Sequence, residues 1–329
     1  MPLIALLMSE PSVHSQNYFQ QFITENGDNF WQSTQFVINP EKGKFDGIIV
    51  YQSIKALDRT YQLSCPKTRT LLVLKEPPDI LHLPEGYTRQ FYCTLGQDNR
   101  VKSTKRILSY AGYHWYVEIN IRDAINTYNL PKTKLISAVV SSKTDTIGHR
   151  QRLDFMYEMK KHLGGQLDWF GRGIQELVSC KADALLDYKY HIVLENGAWP
   201  HYWTEKLADA FVSNCFPFYW GAPNILDYFE PESLKIIDVN DIAGSVKSIE
   251  QAITQDIYIT AQPALAQARN KILTDYHPYQ TYLDLFNSFP ATEHSDIVIK
   301  PHSHFKYDLI TRLQIHATKY LKDLKEMTV

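Results

Sequence analysis

The sequence is poor in the features that announce the commoner chemistries. Its 329 residues include four cysteines, Cys65, Cys93, Cys180 and Cys215. They are scattered without metal-ligand spacing, so neither a disulfide framework nor a zinc site is indicated, and a reduced, cytoplasmic chain is expected. The formal net charge is -2 and no long basic block occurs, which leaves no electrostatic footprint for nucleic acid. The opening run Leu3–Met8 is apolar, yet it is too short to cross a bilayer and has neither a basic start nor a small-residue cleavage site; it reads as a buried strand. The absence of an Asp-x-Asp triplet and of paired histidines argues against a required metal. Gly-x-Ser-x-Gly, the Walker loop and the dinucleotide glycine fingerprint are missing as well, which sets aside hydrolase, NTPase and dehydrogenase readings. There is no short-period repeat, low-complexity segment or evident linker.

What the chain does have is length and apolar content. At 44% hydrophobic it can fill two modest cores. In the first part, β-prone runs at Leu3–Met8, Gln35–Ile38, Gly47–Tyr51, Thr70–Leu74 and Gln90–Thr94 alternate with amphipathic or polar segments, the pattern of a parallel α/β sheet. A second series begins near Leu135: a strand Ile136–Val140, a helix Arg150–Leu163 stopped by Gly164-Gly165, a strand Leu167–Phe170, a strand Tyr190–Leu194 and another at Leu234–Val239. Helical periodicity follows at Ser245–Thr254, Ala264–Tyr276 and His304–Leu324. Charge and Pro131 set the domain break, so the expected division is 1–134, 135–300 and a C-terminal helix within 301–329 that packs back on the first domain.

The densest chemistry lies in Tyr188–Pro223. The strand Tyr190–Leu194 ends in Glu195-Asn196, which places polar groups at a strand's carboxyl end, where open α/β sheets bind ligands. Thr204 is suited to cap a helix beginning at Glu205-Lys206, whose free N–H groups and positive dipole end favour a phosphate. Upstream, Arg150 and Arg152 are expected in a first helical turn, where cations oppose the dipole, so an anionic ligand would explain them. Gly171-Arg172-Gly173 permits close backbone approach. In the first domain Glu76 ends the strand Thr70–Leu74, and Pro77-Pro78 stop both ladder and helix, which holds a carboxylate at a crevice edge. Each residue also has an ordinary reading: surface charge for Arg152 and Lys206, a first-turn carboxylate for Glu205, core for Tyr202, a loop tie for Asn196, an exposed loop acid for Glu76.

The spacing of Glu195-Asn196, Tyr202, Thr204-Glu205-Lys206 and Phe218-Tyr219-Trp220-Gly221 resembles glycosyltransferase family 10, the α-1,3/1,4-fucosyltransferases, especially bacterial members. The resemblance continues through Arg152 with Phe155, Asp168-Trp169-Phe170-Gly171-Arg172-Gly173 and Pro231-Glu232-Ser233. In the first half it is thinner, with Glu76-Pro77-Pro78 similar to the family's Glu-Ser-Pro turn. Two departures stand out: Ser141-Ser142-Lys143 replaces the usual Ser-Asn start, and Leu194 replaces a Phe.

The resemblance implies a GT-B architecture, two Rossmann-like domains facing across a cleft, and inverting transfer of L-fucose from GDP-fucose to a Gal or GlcNAc hydroxyl of a surface glycan. It makes Glu76 the catalytic base and Arg152, Arg172, Asn196, Tyr202, Glu205 and Lys206 the donor-binding set, with Glu195 and Thr204 in support. No cofactor or metal is required on this reading. The partners would be a nucleotide sugar and an oligosaccharide or lipid-linked acceptor, the latter allowing peripheral contact with the inner membrane. Transfer from another nucleotide sugar and a catalytically silent carbohydrate-binding protein are the alternatives.

Overall fold

The computed structural model describes residues 1–9, 30–54, 57–117, 119, 124, 130–144, 147–175 and 180–308. Residues 309–329, most of the expected C-terminal helix, lie outside the described residues. The described residues of 1–111 and 284–308 form one compact unit, and those of 112–283 form another. The sequence reading sets its boundaries at 134/135 and 300/301.

The first unit contains β1 (Leu3–Leu7), β2 (Phe30–Trp31), β3 (Thr34–Ile38), β4 (Gly47–Gln52), β5 (Tyr61–Pro66), β6 (Thr70–Leu74), β7 (Cys93–Gly96) and β8 (Lys105–Leu108). Seven of them make one sheet in the order β2-β3-β1-β4-β6-β7-β8, parallel except for β2 against β3. Parallel sheets are covered on both faces, which is why Ile4–Leu7 and Thr70–Leu74 are uninterrupted runs of buried residues. The chain winds to one side of β1 and then to the other, so the sheet reverses direction between β1 and β4. The strand expected at Gln90–Thr94 starts later, at Cys93, because Gln90 and Phe91 still donate backwards to Tyr87 and Thr88 and close a helical turn. β5 stands apart and pairs antiparallel with His294–Ile299, from Tyr61 opposite Ile299 to Pro66 opposite His294.

The second unit holds a five-stranded, all-parallel sheet: β9 (Lys134–Val139), β10 (Leu167–Phe170), β11 (Tyr188–Leu194), β12 (Phe216–Trp220) and β13 (Lys235–Ile236), ordered β10-β9-β11-β12-β13. The winding reverses between β9 and β11, so the carboxyl ends of those two strands border the crevice where a ligand belongs. Of the run expected at Leu234–Val239, only β13 pairs. Helices Ile147–Leu163, Glu205–Val212, Ile242–Thr254 and Gln262–Leu273 accompany the sheet. Phe155, Met156, Met159 and Leu163 give the first of these its buried face, and Gly164 at φ +54° ends it in the left-handed conformation that only a residue without Cβ takes at no cost. Because this helix starts at Ile147, three residues before the expected start, Arg152 sits in its second turn. Arg150, in the first, donates to the Thr144 carbonyl at 2.7 Å, a local tie that needs no ligand. Among the described residues no helix is long and apolar enough to cross a membrane.

Candidate functional site

At the carboxyl end of β11 the backbone passes from Leu194 to Glu195, whose N–H still donates to Trp220 O at 2.9 Å and so extends the pairing with β12. Glu195 is 0% exposed, a placement a carboxylate tolerates only when its oxygens are satisfied. Its Oε1 accepts from the Thr204 N–H and its Oε2 from the Thr204 hydroxyl, both at 2.7 Å, and Lys206 Nζ lies 3.2 Å from Oε2. Thr204 is at the same time the N-cap of helix Glu205–Val212, with its Oγ1 accepting from the Lys206 N–H. One buried acid therefore locks the loop that returns from β11 into the helix start. The room for it is made at Gly221: a Cβ there would fall 2.6 Å from Glu195 Cγ and 2.3 Å from the Tyr219 hydroxyl, which itself accepts from the Ala222 N–H at 2.8 Å. Sequence spacing singled out Phe218-Tyr219-Trp220-Gly221 but offered no role; Tyr219 and Gly221 shape the floor under Glu195.

Arg152 supplies the second cation. Although 6% exposed, its NH1 donates to Leu194 O at 3.2 Å while its Nε has no acceptor. Burial pushes the guanidinium below its usual range, and the neighbouring Glu195, Tyr202 and Glu205 pull it back up. A buried guanidinium with five donors and so few bonds is a preformed place for an anion. Burial acts to lower the Lys206 ammonium too, but Glu195 and Glu205 outweigh it and hold Lys206 above its ordinary value. Burial raises Glu195, against Lys206 and the two Thr204 bonds. The start of helix Glu205–Val212 thus gathers Arg152, Glu195, Glu205 and Lys206 beside the reversal point of the sheet.

The other expected residues fall as follows. Asn196, half-buried directly after Glu195, makes no hydrogen bond among the described residues. Arg172 is exposed, in the loop after β10. That loop is drawn against the end of β9: Ser142 N–H donates to Arg172 O at 3.0 Å, and a Cβ on Gly171, at φ +145°, would stand 2.4 Å from Val140 O. Tyr202 is 1% exposed, edge-on to Tyr113 at 6.2 Å between ring centroids, so it backs the wall and presents no open ring face. Glu76 belongs to the first unit. It is half-buried between Lys75, whose ammonium lies 4.3 Å from the Tyr51 ring centroid, and the buried pair Pro77-Pro78. Pro77 O receives the Ile80 and Leu81 amides, and Pro78 O receives Arg100 at 2.7 Å. Among the described residues no group of three or more His, Cys, Asp or Glu is arranged to hold a metal ion.

Comparison with known proteins meets the same residues. Residues 129–255 match the family model described as glycosyltransferase family 10 (fucosyltransferase) C-term, a segment that contains Arg152, Arg172 and the whole Glu195–Lys206 network. The chain is 34% identical over 82 residues to the α-(1,3)-fucosyltransferase FucT of Helicobacter pylori, which covers 25% of this chain and 16% of that protein. It is 31% identical over 135 residues to α-(1,3)-fucosyltransferase B of Drosophila melanogaster, covering 36% of this chain and 29% of the relative. The chain therefore spans less than a third of the length of either. A crystal structure of an α1,3-fucosyltransferase with GDP superposes with a TM-score of 0.50 at 14% identity, covering 84% of this chain and 93% of that one, a likeness of fold that agrees with two parallel α/β units and assigns the GT-B class. Residues 129–255, which carry the strand-end acid, the buried arginine and the capped helix start, are thus similar to the C-terminal part of glycosyltransferase family 10.

Proposed function

We propose that the protein is an inverting fucosyltransferase that moves L-fucose from GDP-fucose to a Gal or GlcNAc hydroxyl of a surface glycan, in α-1,3 or α-1,4 linkage. The observation that carries this reading is Arg152: a 6% exposed guanidinium whose Nε has no acceptor, set beside a helix start within the segment that matches the family model. A diphosphate supplies the acceptors it lacks, and Arg meets phosphate oxygens two at a time.

On this reading Arg152 and Lys206 neutralise the leaving diphosphate, where stabilising developing charge contributes most. Glu205 accepts from the ribose hydroxyls, and Asn196 and Arg172, whose side chains have no partner among the described residues, supply further donor contacts. Tyr202, Glu195 and Thr204 support them from behind. Glu76 removes the proton from the acceptor hydroxyl as its oxygen bonds to the anomeric carbon on the face opposite the diphosphate; the bond from that carbon to the diphosphate oxygen breaks and GDP leaves with its electron pair. A nucleotide sugar and a glycan acceptor are the only reactants this chemistry calls for.

A donor panel tests the proposal. GDP-fucose, GDP-mannose and UDP-sugars are each supplied with and without N-acetyllactosamine, following nucleotide release and product mass. The expected result is GDP release from GDP-fucose alone, stimulated by acceptor, with a product heavier by one fucosyl unit. Release from a UDP-sugar would replace the donor, and binding without turnover of any donor would overturn the assignment as an enzyme.

A further inference from the structure

An ammonium has three N–H bonds to give, and Lys206 gives all three within the chain: to Glu195 Oε2 at 3.2 Å, to Thr204 Oγ1 at 3.0 Å and to Glu205 Oε1 at 3.2 Å. As it stands, none is left for a phosphate oxygen. Two of the three acceptors are immovable parts of the floor. Glu195 is fully buried and Thr204 is 1% exposed, and they hold one another through two bonds. The third is different in kind. Glu205 is the first residue of the helix and keeps 15% of its side chain exposed, while Lys206 keeps 21%. The contact between them lies at the solvent-facing edge of the network, where an incoming ligand can reach it.

We propose that Glu205 and Lys206 act as an exchange pair that admits a ribonucleoside diphosphate and disfavours a bare diphosphate; the proposal rests on the donor-site reading above. The vicinal ribose hydroxyls donate to the Glu205 carboxylate, which gives up Lys206, and the freed N–H turns to a diphosphate oxygen. Each half of the ligand makes the other half's contact available. Inorganic pyrophosphate brings no vicinal hydroxyl pair to engage Glu205, so it must compete with that carboxylate for Lys206 and is left with Arg152, whose Nε is already without an acceptor. Glu195 and Thr204 stay bonded to Lys206 throughout and keep its ammonium at the helix start while the third bond changes hands.

The pair makes opposite predictions for two ligands, which calorimetric titration of the full chain with GDP and with inorganic pyrophosphate reads directly. Glu205→Gln should weaken GDP roughly tenfold and tighten pyrophosphate roughly tenfold, the lower range for a bond between charged groups because both side chains retain some solvent. The pyrophosphate gain should vanish in Glu205→Gln/Lys206→Met relative to Lys206→Met, since the carboxylate then has no ammonium to withhold. Residual GDP binding in each variant reports an intact site. Pyrophosphate affinity unchanged by Glu205→Gln overturns the exchange. A gain that persists without Lys206 also overturns it, because it would show mere repulsion between carboxylate and anion. Should the wild-type chain bind neither ligand, the donor-site reading falls and the exchange with it; GDP binding together with an unmoved pyrophosphate affinity removes the exchange alone.

Discussion

Glu195→Gln keeps the shape of the side chain and removes its charge, which makes it the sharpest probe of the floor beneath the helix start. Both carboxylate oxygens are acceptors in the folded chain: Oε1 for the Thr204 N–H and Oε2 for the Thr204 hydroxyl and Lys206. An amide has one oxygen. If it takes the Oε1 place, the NH2 group faces Lys206 and displaces it; if it takes the Oε2 place, the NH2 group faces the Thr204 N–H donor head-on. Removing one partner of a buried ion pair costs about 3–5 kcal/mol. Lys206 is 21% exposed and keeps Thr204 and Glu205 as acceptors, so the expected loss is nearer about 2 kcal/mol. Five of the six tryptophans, Trp115, Trp169, Trp199, Trp203 and Trp220, lie in the second unit, so their fluorescence during urea unfolding reports mainly the unit that is perturbed. With a urea dependence of about 2 kcal/mol per M, the midpoint should fall by about 1 M. The exposed Glu232→Gln serves as the control and should leave it in place. A Glu195→Gln midpoint within about 0.2 M of wild type would refute the account of Glu195 as the acid that holds the helix start, since 0.2 M is only about 0.4 kcal/mol on the same scale.

Two other outcomes follow from the same structure. Glu76→Gln should bind GDP with wild-type affinity and transfer about 10²–10⁴ times more slowly, the usual contribution of a placed general base; single-turnover assays beside GDP titration separate the two, and near-normal turnover removes Glu76 as base. His191 is 3% exposed, with Nδ1 2.8 Å from Ser137 Oγ. The Ser137 hydroxyl hydrogen goes to Ala184 O, so His191 Nδ1 is the donor. Burial, aided by Lys181, takes this imidazole down to about 3. The unfolded chain takes up that proton below about 6.5 and the folded chain does not, so stability is complete above about pH 6.5 and declines as pH falls toward about 3, by up to about 1.4 kcal/mol per pH unit. His191→Asn keeps a donor for Ser137 and should flatten the fall in urea midpoint between pH 7 and pH 5; equal slopes in the two proteins would dismiss His191 as a source of acid lability.

Much of this was legible in the residues because it depends on local rules. Thr70–Leu74 is bounded by its apolar run and the prolines after it, Leu167–Phe170 by the glycines on either side, and Thr204 is placed as the cap of a helix beginning at Glu205 by residue type and position. The misses have a common cause. β5 and its partner His294–Ile299 are antiparallel strands more than two hundred residues apart, and neither Tyr61–Pro66 nor His294–Ile299 has the unbroken apolar run that marks a strand inside a parallel sheet. Arg152 is expected in a first turn only because the helix is bounded at Arg150; the three extra residues from Ile147 carry it into the second turn. Tyr202 shows the limit from the other side, since its ring is as good a ligand platform as a core residue until Tyr113 is seen against it.

By itself the sequence determined the alternation of strands and helices, two α/β series, and the strand-end acid and capped helix start, since each follows from residue type and short spacing. Tertiary structure alone decided the strand order that brings the ends of β9 and β11 together at the reversal point, and it decided what the charges do there. A sequence counts Glu195, Glu205 and Lys206 as two acids and one base. Only the fold shows that one acid is buried as part of the floor and the other sits at the rim, because burial and hydrogen-bond count depend on what the rest of the chain packs around each group.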